Sequence, residues 1–110
     1  MNTITQLPVP VLTQEHRDAM AYIQDLAITI SQQSTYKVHV DYSGINHGFT
    51  AYVALSEDVD KGNFKARTVI NVHLPGDSQW PWMGANALEE LQAMARELEA
   101  LLTPPTGDAA

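Results

Sequence analysis

From residue 35 to 42 the side chains alternate without a break. Tyr36, Val38, Val40 and Tyr42 take one side, and Lys37, His39 and Asp41 take the other. Successive strand residues point to opposite faces, so this pattern specifies a strand with one face buried and one wet. It recurs at 49–56, where Phe49, Ala51, Val53 and Leu55 alternate with Thr50, Tyr52, Ala54 and Ser56. A third segment, 64–74, carries Phe64, Ala66, Thr68, Ile70, Val72 and Leu74 on its inward side and Lys65, Arg67, Val69, Asn71 and His73 on its outward side. The link 43–48 (SGINHG) has turn chemistry, and the link 57–63 (EDVDKGN) is polar with Gly62 and Asn63 at its end. Three strands joined by short links make an antiparallel meander.

Such a sheet needs cover on its apolar face. Thr13 is placed as the N-cap of a helix over 14–33, with Ala19, Met20, Ile23, Leu26, Ala27 and Ile30 on one stripe. Tyr22 lies at the edge of that stripe and Ile28 on the far side. After a turn-rich stretch, 74–84 (LPGDSQWPWMG), Asn86 and Glu89 have capping-box spacing for a second helix; Ser78 and Pro81 mark an earlier start. Its stripe is Leu88, Leu91, Ala95, Leu98 and Leu102. The expected fold is an α+β two-layer sandwich in the order α-β-β-β-α. Its three-stranded antiparallel meander has two helices packed on one face. Residues 1–12, with Pro8 and Pro10, read as an extended arm, 13–102 as one domain, and 103–110 as a flexible tail. The element order over 13–102 resembles that of the double-stranded-RNA-binding domain. That module grips phosphates with a lysine-rich stretch at the start of its last helix. The matching segment here, 84–90 (GANALEE), has no basic residue, so the resemblance is one of layout and carries no RNA site with it.

Charge narrows the function. Thirteen acidic side chains against six basic ones leave a net charge of −7, which disfavours nucleic-acid phosphates and anionic lipid and favours basic partners. The chain has no cysteine, so disulfides, thiolate zinc sites and cysteine nucleophiles are excluded. No G-x-S-x-G, P-loop, G-x-G-x-x-G or H-E-x-x-H pattern occurs. Residues 1–12 show no basic, apolar leader pattern, and no run of ~18 apolar residues is present, so a cytoplasmic chain without a membrane span is expected.

The remaining constellations are surfaces. The open sheet face carries Lys37, His39, Asp41, Tyr52, Arg67 and His73. His39 and His73, on the outer strands, stand two ladder spacings or ~9.6 Å apart, too far to share a zinc ion unless they lean together. A calcium loop counted from Asp58 fails, because its fifth, sixth and twelfth places hold Gly62, Asn63 and Val69. Trp80 and Trp82 flank Pro81 and precede Met83; they are binding anchors if exposed, and the expected packing puts at least one indole over the core. Glu89, Glu90 and Glu97 on the last helix, with Glu57, Asp58 and Asp60 in the second link, form an acidic set that would imitate nucleic-acid phosphates.

The expected function is a non-enzymatic acidic binding or inhibitor protein, needing no metal or cofactor, that occupies a protein partner with a basic surface. Phage and mobile-element blockers of nucleic-acid-handling complexes are proteins of that kind. The alternatives are an assembly protein, homodimeric through its open sheet face, and a weak nucleic-acid module using Lys37, Lys65 and Arg67.

Overall fold

A computed structural model describes residues 9–103. The order is α1 (Gln14–Gln32), β1 (Tyr36–Ser43), β2 (Gly48–Leu55), α2 (Ser56–Asp60), β3 (Thr68–His73) and α3 (Ala87–Glu99). The three strands form an antiparallel sheet in the order β1-β2-β3, with β2 in the centre. Residues 9–12, within the expected arm, carry neither helix nor strand; the rest of the arm and nearly all of the expected tail lie outside the described residues.

Register follows the alternation. Val38 faces Val53, Val40 faces Ala51 and Tyr42 faces Phe49; across the other ladder Phe49 faces Val72 and Ala51 faces Ile70. These residues form one face, and α1 and α3 cover it except at its edge, where Tyr42, expected inward, is 55 % exposed. Ile23, Leu26 and Ile30 from α1 and Leu91, Met94 and Leu98 from α3 meet Phe49, Ala51, Val53, Val72 and Leu74 in a single core. Full burial of one such aliphatic side chain is worth ~1.5–3 kcal/mol over leaving it in water, so the stripe sets which way each helix rolls.

α1 starts as its sequence indicates. The Thr13 hydroxyl accepts from the His16 N–H at 3.4 Å, and Nδ1 of His16 accepts from the Thr13 N–H at 2.9 Å. The imidazole thus fills the return half of a capping box, a role normally given to Glu or Gln. α1 ends where Ser34 takes a left-handed conformation at φ 77°. The two long helices run side by side in the same direction: Tyr22 meets Glu99, and the Gln33 amide makes two hydrogen bonds with the backbone of Thr103.

Three local expectations are corrected. Asn86 is the N-cap residue of α3, but its side chain makes no capping hydrogen bond, so the Asn86–Glu89 box does not form. The link between β2 and β3, read as a polar connection without regular structure, is partly helical, because Ser56–Asp60 coils into α2. β3 begins only at Thr68; Arg67 still donates its N–H to the Val53 carbonyl at 2.7 Å, but residues 64–66 run irregularly outside the sheet, leaving Phe64 76 % exposed instead of inward. For Lys65 and Phe64 the last two are linked: continuing the register would set them opposite Ser56 and Glu57, which coil into α2 and offer no strand to pair with.

Candidate functional site

The stretch between β3 and α3 closes on itself. Gly84 has φ 85°, and a Cβ there would lie 2.4 Å from the Pro75 nitrogen and 2.5 Å from the Leu74 carbonyl carbon. The two ends of the loop therefore touch backbone to backbone, as in an Ω-loop. Inside it, one Asp77 carboxylate oxygen accepts the N–H groups of Gln79 and Trp80, at 2.9 and 3.3 Å. The Trp80 carbonyl accepts from Met83 N–H, and the Gly84 carbonyl accepts from Ala87 N–H at the start of α3. Pro81 fixes its own φ between the two indoles.

The loop presents its large side chains outward. Trp80 is 62 % exposed, Trp82 54 % and Met83 44 %. The expectation that an indole caps the core is overturned, and packing gives the reason. Leu74 and Ala87, which flank the loop, are themselves fully buried and close the core where an indole would have entered.

Glu89 and Glu90 follow directly, exposed in the first turn of α3, where the helix dipole favours carboxylates. Glu97 is exposed near the other end of α3. In α2, Glu57 and Asp60 are exposed, but Asp58 is half-buried and accepts from Nε of Arg67 at 3.0 Å. That pair takes Asp58 out of the free acidic set. Its arginine side is solvated, which keeps the pair's contribution to stability small.

Pairing also places the open-face residues. His39 stands opposite Tyr52 with ring centroids 5.4 Å apart, and Val69, 56 % exposed, continues that row. In the next row Asp41 faces Thr50, whose hydroxyl donates to the Asn71 side-chain oxygen at 2.6 Å. His73 is opposite Gly48, two rows from His39, and its buried Nε2 lies 3.9 Å from an Asp77 carboxylate oxygen. Among the described residues no three His, Asp or Glu side chains converge on one point. Lys37 leans back to the Ser31 carbonyl at 3.4 Å, and Arg67 is turned onto Asp58 just ahead of β3.

The sequence reading missed a second acidic surface. The parallel arrangement of α1 and α3 brings Glu15, Asp18 and Glu99 to one open groove, with Arg96 beside them. Glu15, Asp18 and Tyr22 are three and four residues apart, a spacing that places them along one edge of a helix. Which helix would lie against that edge is a tertiary fact. The Tyr22 hydroxyl donates to the Glu99 carboxylate, and this hydrogen bond raises the phenol above its ordinary value of 10.0, with smaller contributions from desolvation and the charges of Glu99 and Asp25. The neutral phenol is the form that donates. The folded chain therefore holds this proton more tightly than the unfolded one, and the contribution is lost as pH rises above ~10. A tyrosinate absorbance titration is expected to show one phenol ionising late, and Tyr22→Phe should remove that component. An unchanged titration in the variant would mean that the pair does not form in solution.

No family model, no curated protein and no solved structure matches the chain. No described helix is long and apolar enough to cross a membrane.

Proposed function

We propose that this chain is a non-enzymatic binding protein that docks on a basic protein surface through Trp80, Trp82 and Met83, with Glu89 and Glu90 beside them. The observation that carries this reading is the closed loop that holds both indoles outward. Tryptophan dominates interface energetics because one side chain buries a large area at small entropic cost. The loop is already ordered by Asp77 and Gly84, so binding forfeits less freedom than it would from a loose segment. The neighbouring carboxylates steer basic surfaces toward it and repel acidic ones. A partner that uses its basic surface for nucleic acid would be blocked by occupancy alone, with no chemistry required.

The test is capture from host extract by the wild-type chain and by two variants. Trp80→Ala with Trp82→Ala is expected to lower capture by at least tenfold while leaving the thermal midpoint unchanged, since neither indole supports the core. Glu89→Lys with Glu90→Lys should weaken capture most at low salt. Undiminished capture by the tryptophan variant would show that the loop is not the contact.

A second reading, self-association through the open sheet face, rests on the row of His39, Tyr52 and Val69, in which His39 and Val69 are exposed and Tyr52 is half-buried. Sedimentation at high concentration decides it, and a monomer there would rule it out.

A further inference from the structure

The early end of the β2–β3 ladder leaves a cleft. Continuing its register past Val53 and Thr68 would set Ala66 opposite Leu55, with the strand covering the C-terminal end of α3. The chain instead leaves the sheet before Thr68 and carries Phe64 into solvent. Val53, Leu55 and Ile70 of the sheet then face Leu98 and Leu101 across a half-open cleft of about 330 Å³. That volume lies at the low end for ligand sites, roughly 300–1,000 Å³, so it suits one long side chain and excludes a nucleotide cofactor.

The mouth has a sign. Arg67 and Glu97 both stand there, and Arg67 is already neutralised by Asp58 at 3.0 Å. Glu97 has no ion-pair partner among the described residues, so the net unpaired charge at the mouth is negative. Apolar walls under a single carboxylate match a side chain with an aliphatic stem and a cationic head. We propose that this cleft takes a lysine or arginine side chain of the partner, with its methylenes against Ile70, Leu98 and Leu101 and its charge at Glu97. This rests on the reading of the chain as a protein that docks on a basic surface, and it gives that surface a second, specific contact.

The test needs no partner. N-acetyl-lysine-methylamide, its norleucine analogue and its glutamate analogue are titrated into the full chain while the methyl resonances of Val53, Leu55, Ile70, Leu98 and Leu101 are followed. The lysine probe is expected to give saturable shifts at these methyls and to bind at least fivefold more tightly than the other two. Glu97→Gln should bring lysine to within twofold of norleucine, and Ile70→Phe, which fills the cleft without removing apolar volume, should abolish the shifts. Trp80→Ala with Trp82→Ala should leave them intact. Absence of saturable shifts, equal or better binding of norleucine or glutamate, or indifference to Glu97→Gln would each overturn the proposal. Failure here with tryptophan-dependent capture intact removes the cleft and spares the docking loop; probe binding without any captured partner does the reverse.

Discussion

Replacing Gly84 with alanine is expected to destabilise the protein by on the order of 3 kcal/mol, the largest loss expected from an alanine at any of its described glycines. Two costs combine. The residue sits at φ 85°, where an L side chain is strained, and the new Cβ would overlap the Pro75 nitrogen and the Leu74 carbonyl carbon at 2.4 and 2.5 Å. Both obstacles are backbone, so no rotamer change relieves them. Either the loop opens or Leu74, 1 % exposed in the core, moves. Thermal melting should register a fall of roughly 12–24 °C for a domain of this size. Gly62 supplies the control: it has φ +87° with nothing within 4 Å of a built Cβ. Gly62→Ala therefore incurs only the conformational cost, about 1 kcal/mol. Equal losses in the two variants would mean that residues 75 and 84 do not meet. The same Gly84→Ala chain should also lose capture, because the loop that aims Trp80 and Trp82 would no longer be closed.

The second large effect separates two phenylalanines. Phe49→Ala is expected to cost ~3–5 kcal/mol, the range for emptying a buried aromatic site. Phe49 is 4 % exposed on the central strand, opposite both Tyr42 and Val72 and within the single core. Phe64→Ala should change stability by no more than ~0.5 kcal/mol, as for a surface position without a packing role. Denaturant melts of the two variants read the difference directly. A substantial loss from Phe64→Ala would mean that the segment 64–66 packs inward in solution, and it would close the cleft proposed for a basic side chain.

In sequence these two residues are alike. Each opens an alternating segment on its inward parity, and nothing within either segment distinguishes them. What separates them is the partner strand. Phe49 has Tyr42 and Val72 beside it, whereas β2 ends at Leu55 and offers Phe64 no neighbour. The indoles teach the same lesson from the other direction. Trp80 and Trp82 are apolar enough to cap a core, and local pattern favours that placement. They stand outside because Leu74 and Ala87 already seal the core beneath them.

The candidate surfaces were legible in proportion to how local they are. The row of His39, Tyr52 and Val69 follows from strand parity once the meander order is set. Glu89 and Glu90 are exposed as their helical positions dictate. Asp58 looked like a free acid beside Glu57 and Asp60, and only the irregular path of 64–66 brings Arg67 onto it. Glu15, Asp18 and Glu99 did not register as a set because they lie on different helices, whose parallel packing no local pattern encodes.

By itself the chain's alternation and helical stripes determined the element order, the antiparallel meander, and which sheet face would be buried beneath α1 and α3. Those features are periodic, and a period of two or of 3.6 is readable from neighbours in the chain. Tertiary structure alone decided where the ladder stops, which aromatic side chains remain in water, and which charges find partners. Each of these depends on atoms distant in sequence competing for one space: Leu74 and Ala87 exclude the indoles, and the end of β2 releases Phe64. The docking loop and the cleft beside Glu97 both arise at those points of competition.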